Sequence, residues 1–257
     1  VLTVRRRVAP DEVYNLSGQS SVGLSFEQPV ETLESIATGT LNLLEAIRFL
    51  GRPIRFYNAA SSECFGDTGE AAADEATPFR PRSPYALAKA TGFWAVANYR
   101  EAYGLHACSG ILFNHESPLR PERFVTQKIV AGACRIAAGT REPLRLGNLD
   151  VRRDWGWAPE FVDAMHRILQ QDTPQDFVVG TGSSHTLEDF VAAAFAAVGL
   201  DWREWVVVDP ALRRPSELPG NRANPDKAAR LLGWTPRYAM REVVAAMVRS
   251  RLAGAAA

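Results

Sequence analysis

The sequence predicts an α/β fold built on a doubly wound, largely parallel sheet. Strand-length apolar runs alternate with amphipathic helical patterns along the chain. The clearest helix opens on Ser83 followed by Pro84, a capping residue and a first-turn proline. The 257 residues, 46% of them hydrophobic, are enough for one large domain or two small ones with a sizeable core.

In chain order, EVYNL (12–16) reads as a short strand after the turn signal Ala9-Pro10-Asp11. Glu27 to Leu50 reads as one long helix, with Leu33, Ile36, Leu41, Leu44 and Ile47 near one face, stopped by Gly51-Arg52-Pro53. IRFYNAAS (54–61) is the next strand, and its carboxyl end delivers Ser61 and Glu63. A polar loop over 68–82 leads to the helix capped by Ser83, which runs to Tyr103 and ends at Gly104. HACSGILF (106–113) is a further strand. A helix near 125–139, a strand at 144–147, a helix near 159–171 and the strand DFVVG (176–180) follow, and helices near 186–199, 225–233 and 240–252 complete the pattern.

Basic and acidic residues balance at 29 each, so no overall field favours nucleic acid or an anionic membrane. No apolar run approaches the roughly 18 residues of a spanning helix, and no signal-peptide apolar region opens the sequence. Cys64, Cys108 and Cys134 are unpatterned, as in a reducing compartment, and a cytoplasmic enzyme is the expectation. The four histidines lack metal-ligand spacing, so no metal site is expected. The sequence begins at Val1 inside an amphipathic helical pattern, as a piece of a longer chain would.

SSECFG (61–66) and SPYALAK (83–89) together supply a hydroxyl, a carboxylate, a phenol and an ammonium. Ser61 and Glu63 stand at the carboxyl end of a strand, where open α/β sheets bind ligands, although a Ser-rich strand end can equally be a plain turn. Tyr85 and Lys89 are four apart on one helical face. A free phenol titrates at about 10, and a nearby ammonium would stabilise its anion and make it usable as a base. A surface Tyr-Lys pair is the plainer alternative, but lysine is scarce here, occurring only at 89, 128 and 227. GTGSSH (180–185) follows a strand and precedes a helix, but His185 stands where the third glycine of a dinucleotide loop would be. It reads as a capped strand-to-helix turn.

Taken together, NLSGQSSV (15–22), SSECFG, SPYALAK, GILFNHESP (110–118), FVTQKI (124–129), GNLDVRRDWG (147–156) and RPSE (214–217) closely resemble the GDP-mannose 4,6-dehydratase family. That family lies in the extended short-chain dehydrogenase/reductase superfamily, and the resemblance runs from Pro10 to Met247. It implies an incomplete Rossmann-like sheet with a smaller C-terminal α/β substrate-binding region. Residues 1–113 would be a partial NADP-binding domain, lacking the first βαβ units and completed by about 154–182, and 114–257 mainly the GDP-sugar region. The glycine-rich loop that receives the cofactor pyrophosphate in the family would precede PDEVYNL, so EVYNL is expected to show an unpaired edge.

The resemblance implies an internal redox cycle on GDP-mannose, with NADP as cofactor and GDP-4-keto-6-deoxymannose plus water as products. Ser61, Glu63, Tyr85 and Lys89 would be catalytic: Tyr85 as base at the carbon-4 hydroxyl, Ser61 orienting that oxygen, Lys89 assisting Tyr85, and Glu63 acting at carbons 5 and 6. Leu16, Ser20, Leu112, His115 and Arg120, with Tyr85 and Lys89, would line NADP. Asn114, Lys128, Arg153, Arg214 and Glu217 would hold the GDP-sugar, although Arg153 could instead pair with Asp154 or Glu160. A homodimer or homotetramer is implied, with neither nucleic acid nor membrane as partner. The sequence departs from the family pattern at Ser61, where Thr is common, at Phe65, at Leu119 and across ELPGNRANP (217–225). A non-catalytic GDP-sugar-binding protein, or a related epimerase or reductase, fits part of the same pattern, and Glu63 speaks against the latter.

Overall fold

The computed structural model describes residues 8–212 and 216–255. The chain opens with β1 (Glu12–Asn15), followed by α1 (Val22–Glu27), α2 (Pro29–Leu33), a π-helical turn (Glu34–Thr38) and α3 (Gly39–Leu50). Next come β2 (Arg55–Ser61), a 3-10 turn (Ser62–Phe65), α4 (Pro84–Tyr103), β3 (Ala107–Leu112), β4 (Asn114–Glu116) and α5 (Val125–Ala137). The short strands β5 (Leu144–Leu146), β6 (Arg152–Arg153) and β7 (Trp155–Trp157) precede α6 (Ala158–Leu169) and β8 (Phe177–Val179). Then β9 (His185–Thr186), α7 (Leu187–Ala196), β10 (Val206–Val208), α8 (Asp226–Leu232) and α9 (Met240–Ala255) complete the described chain.

Four strands form the central parallel sheet in the order β1-β2-β3-β8. β3 is buried throughout and β2 from its second residue onward, because helices cover both faces. On one face Leu44, Ile47, Val96 and Tyr99 of α3 and α4 pack on Phe56 and Ala107. On the other, Phe161, Ala164, Met165 and Ile168 of α6, with Trp234 beyond α8, cover Tyr57, Cys108 and Phe177. A separate core of Ile129, Val130, Trp155, Phe190, Phe195, Val243 and Met247 joins α5, α7 and α9. β2 and β3 pair in a register that sets Ser61 opposite Leu112. Gly110 allows β3 to approach the core: a Cβ there would lie 2.1 Å from the Tyr57 hydroxyl oxygen.

The α/β class and the parallel sheet agree with the sequence, and the helix capped by Ser83 has the expected limits. The single helix expected over 27–50 is instead broken. Pro29 opens a new helix at its first position, and the π turn follows, with the Thr40 hydroxyl bonding back to the Ile36 carbonyl at 2.7 Å. Three two-stranded pairs, β4 with β7, β5 with β10 and β6 with β9, were not expected. Among the described residues β1 pairs on one side only, with β2, and its Tyr14 is exposed. No helix among the described residues is long and apolar enough to cross a membrane.

Candidate active site

Ser61 ends β2, and its hydroxyl accepts from the Glu63 N–H at 3.3 Å, opening the 3-10 turn that presents Glu63. The turn closes on Gly66 at φ 69°, where a Cβ would lie 2.1 Å from the Arg80 carbonyl oxygen. The Arg80 N–H also donates to the Cys64 carbonyl at 2.9 Å, so the loop before α4 is sewn to the turn. Ser83 then caps α4, accepting from the Ala86 N–H at 3.1 Å, and Pro84 fixes the first turn that carries Tyr85.

These two pieces of chain bring Ser61, Glu63, Tyr85 and Lys89 together. Burial pushes the Tyr85 phenol well above its ordinary value, while a hydrogen bond with Ser61 works against that rise and the nearby Glu63 charge adds to it. Lys89 donates to the Ala59 carbonyl at 2.7 Å, and its ammonium lies 5.9 Å from the Tyr85 ring centre. Burial draws Lys89 down to about 8. Lys89 is thus desolvated and turned to a backbone carbonyl, and burial is the largest influence on Tyr85 here. Cys64 lies nearby, its thiol facing the Ala86 carbonyl at 3.7 Å, and is pushed up to about 12 by burial, which leaves it a thiol.

The Glu63 carboxylate lies 4.0 Å from the guanidinium of buried Arg153. Arg153 also donates through Nη1 to the Leu218 carbonyl at 3.0 Å. Asp154 and Glu160, the alternative partners considered for Arg153, both bond to other residues. Asp154 accepts instead from the Thr181 N–H and hydroxyl and from the Gly182 N–H, all at 2.7–2.8 Å in their shortest contacts. Glu160 accepts from the Arg237 N–H and faces its guanidinium at 3.4 Å. The GTGSSH stretch is thus a turn organised around a buried carboxylate.

The other expected residues are more dispersed. His115 pairs with the Phe113 carbonyl at 2.8 Å, stacks on Phe161 at 4.7 Å, and is drawn down to about 4 by burial. Arg120 donates to the His115 carbonyl at 3.1 Å, ion-pairs with buried Glu116 at 3.2 Å and covers the Phe124 ring. Leu112 is buried in β3 opposite Ser61, and Asn114 opens β4 half-buried. Leu16 and Ser20 are exposed just beyond the carboxyl end of β1. Lys128 donates to the Arg145 carbonyl at 2.7 Å and lines a cavity of about 430 Å³ with Arg135, Glu142 and Arg145. Glu217 is half-buried, and Arg214 lies outside the described residues.

Sequence reasoning missed two contributors. Asp154 lies inside the quoted RDWG motif but was weighed only as a partner for Arg153. Asn221, in the stretch that departs from the family pattern, donates to the Ser62 hydroxyl at 3.2 Å from across the fold. No periodicity marks it.

Comparison with known proteins fits this geometry. The family profile described as GDP-mannose 4,6 dehydratase matches residues 1–247. GDP-mannose 4,6 dehydratase 1 of Arabidopsis thaliana is 49% identical over 245 residues, covering 94% of this chain and 68% of that protein. GDP-mannose 4,6-dehydratase of Vibrio cholerae is 44% identical over 278 residues, covering 97% of this chain and 75% of that protein. The structure of RMD from Pseudomonas aeruginosa complexed with NADPH superposes with a TM-score of 0.86 at 26% identity, covering 94% of this chain and 82% of that one.

Proposed function

This chain belongs to the GDP-mannose 4,6-dehydratase family, NADP-dependent hydro-lyases of nucleotide-sugar metabolism, and on that premise we propose that Ser61, Glu63, Tyr85 and Lys89 convert GDP-mannose to GDP-4-keto-6-deoxymannose and water. The observation that carries this reading is that Ser61 opens the turn presenting Glu63, with Lys89 5.9 Å from the Tyr85 ring, and that Ser61 and Glu63 both influence the Tyr85 phenol. A base, a hydroxyl that orients oxygen and a second acid/base are then neighbours. In the proposed cycle Tyr85 acts as the phenolate, a form reached against the burial that holds its proton in this structure, and takes the proton of the carbon-4 hydroxyl while Ser61 holds that oxygen by a hydrogen bond. Glu63 removes the carbon-5 proton once carbon 4 is a ketone, and gives a proton to the hydroxyl leaving carbon 6. Bound NADP would supply the hydride acceptor and later the hydride for carbon 6, and carbon 5 then regains a proton that originates from water.

The residues fit the nicotinamide side of such a cofactor. Lys89 spends one donor on Ala59, and an ammonium has three, so two remain for ribose hydroxyls. Leu16 and Ser20 are exposed beyond β1, Leu112 ends β3, and His115 and Arg120 follow it in sequence. For the substrate, the cationic groups of Lys128 and Arg145 around one cavity, and Arg153 beside Glu63, suit a diphosphate and its sugar. Asn114, Arg214 and Glu217 complete the proposed GDP-mannose contacts. The division into a cofactor side (1–113, completed by about 154–182) and a substrate side (114–257) is supported by β8, which joins the sheet beside β3.

A homodimer or homotetramer is proposed as well, supported by large apolar side chains exposed on α3 and α4: Leu41, Phe49, Leu87 and Trp94. Three buried free cysteines support a reducing, cytoplasmic setting. The test of the activity is incubation with GDP-mannose and NADP, followed by mass spectrometry. The expected result is loss of one water from the nucleotide sugar. Binding of GDP-mannose with no such loss, in protein shown to bind NADP, would overturn the reading.

A further inference from the structure

Asn221 is buried to 2% exposure, as is Ser62, to which it donates. Its other amide atom, Oδ1, is buried with no hydrogen-bond partner. A half-satisfied amide in the interior costs more stability than an apolar side chain of similar size would. An amide at this place therefore calls for a reason other than stability.

The neighbourhood supplies one. Ser62 lies between Ser61 and Glu63, inside the short turn that aims both. The segment carrying Asn221 is fixed on each side of that turn. The Arg152 N–H donates to the Pro219 carbonyl at 2.8 Å, and Arg153 donates to the Leu218 carbonyl. The Ala73 N–H donates to the Arg222 carbonyl at 2.8 Å, and the Asn224 N–H returns a bond to the Ala73 carbonyl at 2.8 Å. Among the described residues this strap hydrogen-bonds to the Glu63 turn through the Asn221 side chain, beside the apolar packing of Ala223 in the cluster that holds Phe65.

We propose that Asn221 is a positioning residue, which acts through the Ser62 hydroxyl to hold the turn carrying Ser61 and Glu63 in its reactive orientation. The proposal rests on the dehydratase reading above. It predicts an opposition between stability and turnover. Asn221→Leu removes the unpaired buried amide and keeps the branching at Cγ with somewhat larger methyl groups, so thermal stability holds or rises where the site accepts them, and Asn221→Ala removes the amide without added bulk. The hydrogen bond to Ser62 is lost with it, and kcat falls about tenfold, the scale of one lost orienting bond. KM for GDP-mannose stays within about twofold, since no substrate contact is removed.

The experiment is a double-mutant cycle in the full chain, combining Asn221→Leu with Ser62→Ala and reading kcat, KM and Tm for each variant. Asn221→Ala runs alongside, in case leucine does not fit the site. The expected result is a lowered kcat at unchanged or higher Tm, with no further loss when Asn221 is replaced in the Ser62→Ala background. An unchanged kcat, effects that simply add, or a loss of kcat matched by a fall in Tm would each overturn the positioning role while the wild type still dehydrates GDP-mannose. A wild type that binds both ligands without turnover would overturn the dehydratase reading, and this role with it.

Discussion

At Tyr85, burial and hydrogen bonding pull in opposite directions. Desolvation holds the proton on the phenol, and the bond with Ser61 loosens it. Tyr85→Phe keeps the ring in place and removes the only group in the turn of α4 able to take the carbon-4 proton. Turnover of GDP-mannose is expected to fall by at least about a thousandfold, with unchanged circular dichroism. Glu63→Gln should fail later, at carbon 5. In deuterated water the variant is expected to place no deuterium on carbon 5 of the sugar, and normal incorporation would remove Glu63 from its role. Lys89 makes a stability prediction with a definite sign. Burial lowers it from an ordinary 10.5 to about 8, so the unfolded chain holds the proton more tightly than the folded one. The folded state is therefore penalised below pH 8, and the penalty is relieved as pH climbs from 8 toward 10.5. Thermal melts across that window should show the wild type gaining on Lys89→Met.

Secondary-structure elements show which signals were local and which were not. The helix from Pro84 to Tyr103 was readable because its start and stop are written next to it: Ser83 caps it, Pro84 opens it, and Gly104 ends it in the left-handed region at φ 65°. The region 27–50 was misread because its apolar spacing continues smoothly through Pro29, and only the missing N–H of proline and the π turn divide it. The pairs β6 with β9 and β5 with β10 join short segments far apart in sequence, and two or three residues carry no period to detect. The turn from Ser62 to Phe65 is the element on which the site depends most, and Gly66 is its tightest point. An alanine there meets the Arg80 carbonyl oxygen at 2.1 Å and must also hold φ near 69°. Gly66→Ala should cost at least about 2 kcal/mol in urea unfolding and depress turnover through Glu63. A variant as stable as wild type would show that the turn can relax without loss.

Across the whole molecule, the part of the site that could be read from sequence is the part built from neighbouring segments. Ser61, Glu63, Tyr85 and Lys89 come from one strand end and the helix that follows it. The contributions of Arg153 and Asn221 depend on the distant C-terminal region folding back over that strand end, and Asn221 meets Ser62 across 159 residues. Nothing in either stretch taken alone announces the contact. The same global view bears on assembly. α3 and α4 pack side by side over one face of the sheet, and their outer surfaces leave Phe49 at 65%, Trp94 at 60% and Leu87 at 49% exposure. Side chains of this size are worth roughly 25 cal/mol for each Å² of apolar surface removed from water, so a two-helix face bearing them favours pairing with its own copy. Such an isologous pairing would set four helices against each other and leave the carboxyl ends of the strands open. The full chain is accordingly expected to sediment as a dimer or tetramer at micromolar concentration. Trp94→Glu, which places a charge at the centre of that face, should shift it to monomer while the monomer keeps its secondary structure. Wild-type protein that sediments as a monomer would assign these exposed side chains to some other surface role.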